Sequence, residues 1–419
     1  MPNVPGMALH TGVHTLVRRT HEERVLDALR ESGALSRSEI ARRVGLSRTT
    51  LSEITADLLA RGVIAVVDTD AAHRVGSGRP AERLALDPSS GQFLGVDLGH
   101  REVHVAVADA SREVIATAVE RFPDGTPWEE RVRGTLTLVD RTAAEHGVHF
   151  NALQAVGVGV PGPYRAGVAH PGPAPAVDAP ITARWWGTRQ VADRIEDAFG
   201  AHFAAPVVID NNTRFAALAE ALHAQPRTRE LLYVRLGDGV GGGVVTEGRL
   251  VTGAAGLAGE VGHVRAVPAG RLCRCGKHGC LETVASAPAV LAECRRRGVA
   301  VATLEDLADR VAIEHPVVNE VLHDAATALG AALAAIAMVV NPAEIVIAGR
   351  IATLAPRIVE QAAATARFEL FSLADAAPVV RAARLPANAG ALGALTAVVQ
   401  LTGADRIPTP NVRVQRSIP

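Results

Sequence analysis

Three of the chain's four cysteines fall within eight residues behind a histidine, in the run Gly262-His263-x9-Cys273-Arg274-Cys275-x4-Cys280-Leu281-Glu282, and that spacing dictates a tight local knot. Thiolate and imidazole donors so close in sequence suit a tetrahedral Zn2+ centre, and Gly276 and Gly279 let the backbone turn sharply enough for the sulfurs to converge. With His263, Cys273, Cys275 and Cys280 as a full set of ligands, no coordination position stays open, so the expected zinc is structural and does not activate water. Three free buried thiols, or a redox pair at Cys273/Cys275, are the alternatives; a C-x-C pair with a third cysteine this near favours metal. Cys294, alone in an expected helix, reads as an ordinary buried thiol.

At 419 residues the chain is too long for one ordinary core and is expected to form two or three domains. A hydrophobic content of 48% supports well-packed globules. No run of about 18 uninterrupted apolar residues appears and the N-terminus lacks a secretory pattern, so no membrane partner and a cytoplasmic location are expected. Metal-binding thiols fit that compartment better than disulfides do. The formal net charge of −1 excludes a globally basic nucleic-acid binder, yet twelve arginines crowd the first 90 residues. Lys277 is the one lysine in the sequence.

From His21 to Ile64 apolar residues recur at helical spacing in three blocks: Val25, Leu26 and Leu29, then Ile40 and Val44, then Leu51, Ile54, Leu58 and Leu59. Ser36 and Ser47 stand where N-caps belong, and Glu39 follows Ser36 at the spacing of a capping box. Val44-Gly45-Leu46-Ser47 is a turn short enough for a helix-turn-helix. The third helix would present Ser47, Arg48, Thr49, Thr50 and Ser52 near its start. Ser36 and Arg37, at the start of the second helix, join them as expected DNA contacts. Arginine can bond guanine, and short hydroxyls can bond phosphate without blocking close approach. Val63 to Val67 and Ala81 to Leu86 read as two wing strands, with Arg79 held out on Gly76-Ser77-Gly78-Arg79-Pro80 to meet phosphate or a minor groove. A three-helix packing module with solvated arginines is the bland alternative. Pro88 to Gly91 is the linker onward.

The remainder alternates strands and helices. Phe93-Leu94-Gly95-Val96-Asp97-Leu98-Gly99 opens a strand-turn-strand through Val103, Val105 and Val107. Buried strands are expected at Ala155 to Val160, Pro206 to Asn211 and Leu232 to Leu236, the last leading into the glycine-rich loop Gly237 to Gly243. Helical segments near Asp193–Phe199, Phe215–Leu222, Val317–Met338 and Leu392–Leu401 give an α/β chain with two similar lobes.

These motifs together resemble the ROK family (repressor, open reading frame, kinase). The resemblance rests on Glu260-x-Gly262-His263, the cysteine run ending in Leu281-Glu282, Gly95-x-Asp97-x-Gly99, and the loop Gly237 to Gly243. It implies an actin-like sugar-kinase fold of two lobes behind the winged helix. It further implies that Asn211, Asn212, Glu260, His263 and Glu282 contact a sugar, with His263 also serving the zinc. Glu260 and Glu282 could instead merely brace the zinc loop. Trp185 and Trp186 border the sugar in the same comparison, or are core or interface aromatics.

Phosphoryl transfer to a sugar needs a carboxylate to accept the hydroxyl proton. The family's kinases carry an Asp where this chain has Asn212, and a carboxamide cannot take that proton; losing a positioned base costs about 10² to 10⁴-fold in rate. His100-Arg101-Glu102 replaces the compact Gly-Thr-Lys phosphate turn, Asp238 replaces a Thr of the second glycine loop, and Ala348-Gly349 replaces a Gly-Gly pair. No kinase activity is therefore expected.

The resulting expectation is a winged helix-turn-helix over 1–88, one lobe over 91–208 plus 389–403, a second with the zinc loop over 209–388, and a flexible tail over 404–419. Functionally it is a sugar-responsive repressor that binds a double-stranded operator as a homodimer or dimer of dimers. An active sugar kinase carrying a DNA-binding module is the alternative, and an effector-blind architectural DNA binder a third.

Overall fold

A computed structural model describes residues 13–69, 82–123, 125–162, 187–370 and 377–401. The N-terminal head contains helices Val13–Ser32, Arg37–Val44 and Arg48–Ala60. Its small antiparallel sheet has strands β1 (Leu35–Ser36), β2 (Ile64–Thr69) and β3 (Glu82–Leu86) in the order β1-β3-β2. The expected local signals operate. Ser36 Oγ accepts from Glu39 N while the Glu39 carboxylate accepts from Ser36 N, and Gly45 ends that helix with φ 66°. Ser47 caps the third helix through Thr50 N. Val25, Leu29, Ile40, Val44, Leu51, Ile54 and Leu58 form the head's core, which continues into Ala110 and Ala152 of the body.

The body repeats one sheet plan twice. The first sheet, β6-β5-β4-β7-β8, comprises β4 (Phe93–Leu98), β5 (Glu102–Ala108), β6 (Val114–Arg121), β7 (Ala155–Val160) and β8 (Val207–Asn211). Strands β4, β5 and β6 form an antiparallel meander, and β7 and β8 run parallel to β4. The second sheet, β11-β10-β9-β12-β13, has the same arrangement in β9 (Leu231–Leu236), β10 (Val240–Thr246), β11 (Arg249–Leu250), β12 (Glu344–Ala348) and β13 (Val379–Ala382). Helices Trp128–His146 and Gly187–Phe203 accompany the first sheet, and Pro316–Val340 and Arg357–Glu369 cover the second.

Two helices, Asn212–His223 and Ala389–Leu401, lie between the sheets and are buried along nearly their whole length. Small residues permit this: a Cβ on Gly393 would collide with the Phe215 carbonyl oxygen, and one on Gly95 with that of Ala391. The fully buried Glu220 bolts this layer to the second sheet, accepting from Arg381 Nη1 (2.6 Å), Arg384 N (2.9 Å) and Leu385 N (3.1 Å). Among the described residues one helix, Pro316–Val340, is long and apolar enough to cross a membrane. Its inner face, with Val318, Val321, Leu322, Ala325, Ala326, Leu329 and Leu333, is buried in the core of the second sheet.

Candidate functional site

The cysteine run folds as its spacing requires. Ligand atoms of His263, Cys273, Cys275 and Cys280 all lie within 4.8 Å of one another. Cys273 Sγ is 3.5 Å from His263 Nδ1, and Cys275 Sγ is 3.5 Å from Cys280 Sγ. Tetrahedral thiolates about 2.3 Å from a zinc ion stand roughly this far apart, so the donor set fits the metal in number, kind and spacing. Gly276 and Gly279 both have positive φ, and a Cβ on Gly279 would collide with the Val267 carbonyl oxygen. Lys277 Nζ fastens the loop to the His263 carbonyl at 2.8 Å. Cys294 stands apart from the cluster, buried in the core of the second sheet.

Asn212 opens the helix between the sheets and is enclosed by charged partners. Its Nδ2 donates to Asp97 Oδ1 at 2.8 Å, and its Oδ1 accepts from Arg235 Nη2 at 3.0 Å. Arg235 Nη1 lies 3.8 Å from Asp97 Oδ2, closing a triangle between β4, β9 and the helix. Both ends of the amide are needed: an aspartate here would set a second carboxylate against Asp97. Asn211 caps the helix, with Oδ1 accepting from Thr213 N (2.8 Å) and Arg214 N (3.2 Å), while its Nδ2 donates to the Gly162 carbonyl (2.6 Å).

Glu282 is similarly engaged. Arg274 Nε and Nη2 reach its two oxygens at 2.7 and 2.8 Å, and Val240 N donates at 3.1 Å. This ion pair lies over the glycine-rich loop, where a Cβ on Gly239 would come within 2.7 Å of Glu282 Oε2. Arg101 Nε faces Asp238 Oδ2 at 3.8 Å. Burial lowers the His100 imidazole pKa, opposed by Asp238. Glu260 differs: it is half-buried, no hydrogen bond or ion pair engages its carboxyl among the described residues, and burial pushes its pKa up to about 6. Burial also raises Asp210, against the pull of its partner Arg214.

All five residues expected to meet an effector thus lie on or beside the His/Cys3 loop or at the start of the inter-sheet helix, and the side chains of Asn211, Asn212, His263 and Glu282 already hold protein partners. Sequence reasoning missed Arg235, Arg274 and the role of Asp97. An arginine inside the otherwise apolar strand Leu231–Leu236 was the available signal for the first.

In the head, Arg48, Thr49 and Ser52 are exposed and Thr50 is half-exposed. Ser36 is buried as a cap, Ser47 caps its own helix, and Arg37 pairs with Glu82 at 2.7 Å. Arg79, Trp185, Trp186 and the tail from 404 lie outside the described residues.

A winged helix-turn-helix joined to two duplicated sheets with a His/Cys3 cluster defines a DNA-binding protein built on a sugar-kinase-like body. The ROK family model matches residues 93–400, and a winged helix-turn-helix DNA-binding model matches residues 18–65. The chain belongs to the ROK family. It is 28% identical to the xylose repressor of Caldicellulosiruptor bescii over 68% of each chain. It resembles the crystal structure of a ROK family transcriptional regulator, homologue of the E. coli MLC protein, with TM-score 0.65 and 23% identity over 92% of this chain and 96% of that one. The ROK hexokinase of Thermus thermophilus aligns with TM-score 0.59 and 30% identity over 72% of this chain and 96% of that one. Regulators and kinases thus share the body.

Proposed function

We propose that the chain is a sugar-responsive repressor that binds a double-stranded operator in the cytoplasm as a homodimer or dimer of dimers, and that its body no longer phosphorylates sugar. The observation that carries the second half is the Asp97–Asn212–Arg235 triangle. A group that must accept a proton from substrate is here an amide with donor and acceptor both spent inside the protein. Arg274–Glu282 and Arg101–Asp238 add internal ion pairs around the loops where a nucleotide's phosphates would need free donors.

The xylose repressor's name supports a sugar as effector. Glu260 is the acceptor that stands ready, with His263, Asn211, Asn212 and Glu282 shaping the pocket around it; a site of this kind discriminates by hydroxyl position. Zn2+ held by His263, Cys273, Cys275 and Cys280 would fix the loop that carries Glu260 and Glu282. The working parts we assign are 1–88 for DNA, 91–208 with 389–403 and 209–388 as the two lobes, and 404–419 as a tail. Sugar between the lobes would alter their closure and so the spacing of paired heads on operator half-sites.

The test combines operator binding, followed by fluorescence anisotropy across a sugar panel, with a coupled assay for ATP-dependent phosphorylation of the same sugars. Operator release by one sugar without turnover is the expected result. Zinc-dependent phosphorylation of any sugar would overturn the reading in favour of a kinase.

A further inference from the structure

The Arg48–Ala60 helix buries Leu51, Ile54, Thr55 and Leu58 against the head, and its opposite face carries Thr49, Ser52, Glu53 and Ala56, all exposed. Spacings of three and four residues place these side chains on one outward stripe. Glu53 lies near its centre. The neighbouring carboxylates are neutralised: Asp57 meets Arg18 and Arg61, and Glu22 meets the same two arginines. Glu53 has no ion pair or hydrogen bond among the described residues.

We propose that Glu53 is a specificity-determining residue that selects cytosine in the operator. This rests on the DNA-binding reading of the head. A carboxylate carried into the major groove is repelled by phosphate and by the guanine O6 and N7 and thymine O4 acceptors. It gains only where a base offers an amino group. Cytosine N4 and adenine N6 both do, but adenine places the N7 acceptor beside its amino group, so a side chain that only accepts favours cytosine. Thr49 and Ser52 are short enough to let the carboxylate reach the base edge, and Ala56, one turn on, leaves room for a thymine methyl. Arg48, exposed at the helix start, supplies phosphate attraction that offsets the carboxylate's repulsion.

Full-length wild type, Glu53→Gln and Glu53→Ala, each zinc-loaded, are used to select bound duplexes from a random DNA pool, and affinities are measured on the selected sequences at several salt concentrations. We expect a C·G pair at one position of each half-site for wild type. Glu53→Gln should move that position to adenine, because a carboxamide pairs with both N6 and N7, with a change in preference of about ten- to a hundredfold. Glu53→Ala should flatten that position alone and leave the salt dependence unchanged, since no phosphate contact is lost. The same consensus in all three proteins, or a uniform rise in affinity of Glu53→Ala on every sequence, would overturn the inference and leave DNA binding intact. Absence of any selection by all three would sink both.

Discussion

Asn212 shows, for a single side chain, what sequence can and cannot disclose. Its amide is visible in the string Asp210-Asn211-Asn212, but its partner Asp97 lies 115 positions away and Arg235 on another sheet, so only the fold reveals why the amide is held. Asn212→Asp should not create a kinase, because Arg235 and the internal ion pairs remain. It should instead lower stability by on the order of 2 kcal/mol at pH 8, since two carboxylates then share one buried site. Protonating one of the two carboxylates would relieve their repulsion, so that deficit should shrink as pH falls, which thermal melts from pH 8 to pH 5 would show. Glu260 gives the second titration. Its folded pKa of about 6 lies above the ordinary 4.5, so the wild-type carboxyl is tolerated fully below pH 4.5 and loses stability as pH rises through 6. Glu260→Gln should therefore be more stable than wild type at pH 8, by on the order of 2 kcal/mol, with the gap closing toward pH 4.5. The same variant should lose sugar response if Glu260 accepts a sugar hydroxyl, read as operator release at saturating sugar.

Elements were readable where one residue type carries an unambiguous job. Ser36, Glu39, Gly45 and Ser47 bracket the head's helices in sequence and do so in space, and the predominantly apolar runs of β4 and β7 are buried strands. The Arg357–Glu369 helix went unread because alanines carry much of its buried face, Ala362, Ala363 and Ala366, in a chain where alanine is everywhere. Strand β13 is four half-exposed or exposed edge residues, too short for an alternation to register. The cysteine loop is the opposite case: the spacing of His263, Cys273, Cys275 and Cys280 already implied a single cluster, and the structure brings their donor atoms within 4.8 Å of one another. Removing the metal tests its role as an element. Chelation, or Cys280→Ser, should release the 263–281 loop and abolish sugar response, because the loop has little apolar core of its own. Operator affinity without sugar should stay within about threefold of wild type, since the head's capped helices and core are independent of the loop.

At the scale of the whole molecule, the proposed sugar site must be coupled to the DNA-binding head, and strand β5 runs from one toward the other. Just before one end Arg101 faces Asp238 of the glycine-rich loop; beyond the other end, Ala110 joins the head's core. There Arg30 of the first helix donates from Nε to the Ala110 carbonyl at 2.6 Å and from Nη1 to Asp27 at 2.7 Å and Glu23 at 3.1 Å. Arg112, buried beside it, lies 3.8 Å from Glu23, and burial lowers its pKa to about 10. The junction is thus packed and charged, and within the Pro88–Gly91 segment expected to be a linker, Ser90 is fully buried and its Oγ accepts from the equally buried Gln92 of the body. Effector coupling of about 5- to 150-fold is the usual range for two sites joined through such a body. Arg30→Met removes the donor to Ala110 while keeping much of the side chain's apolar stem. It should leave the melting temperature within a few degrees and the sugar affinity near wild type, yet cut the sugar-induced change in operator affinity several-fold. Anisotropy titrations with and without sugar measure that ratio directly. An unchanged ratio would mean that the head is repositioned without this contact, and that the signal travels through the spacing of paired chains alone.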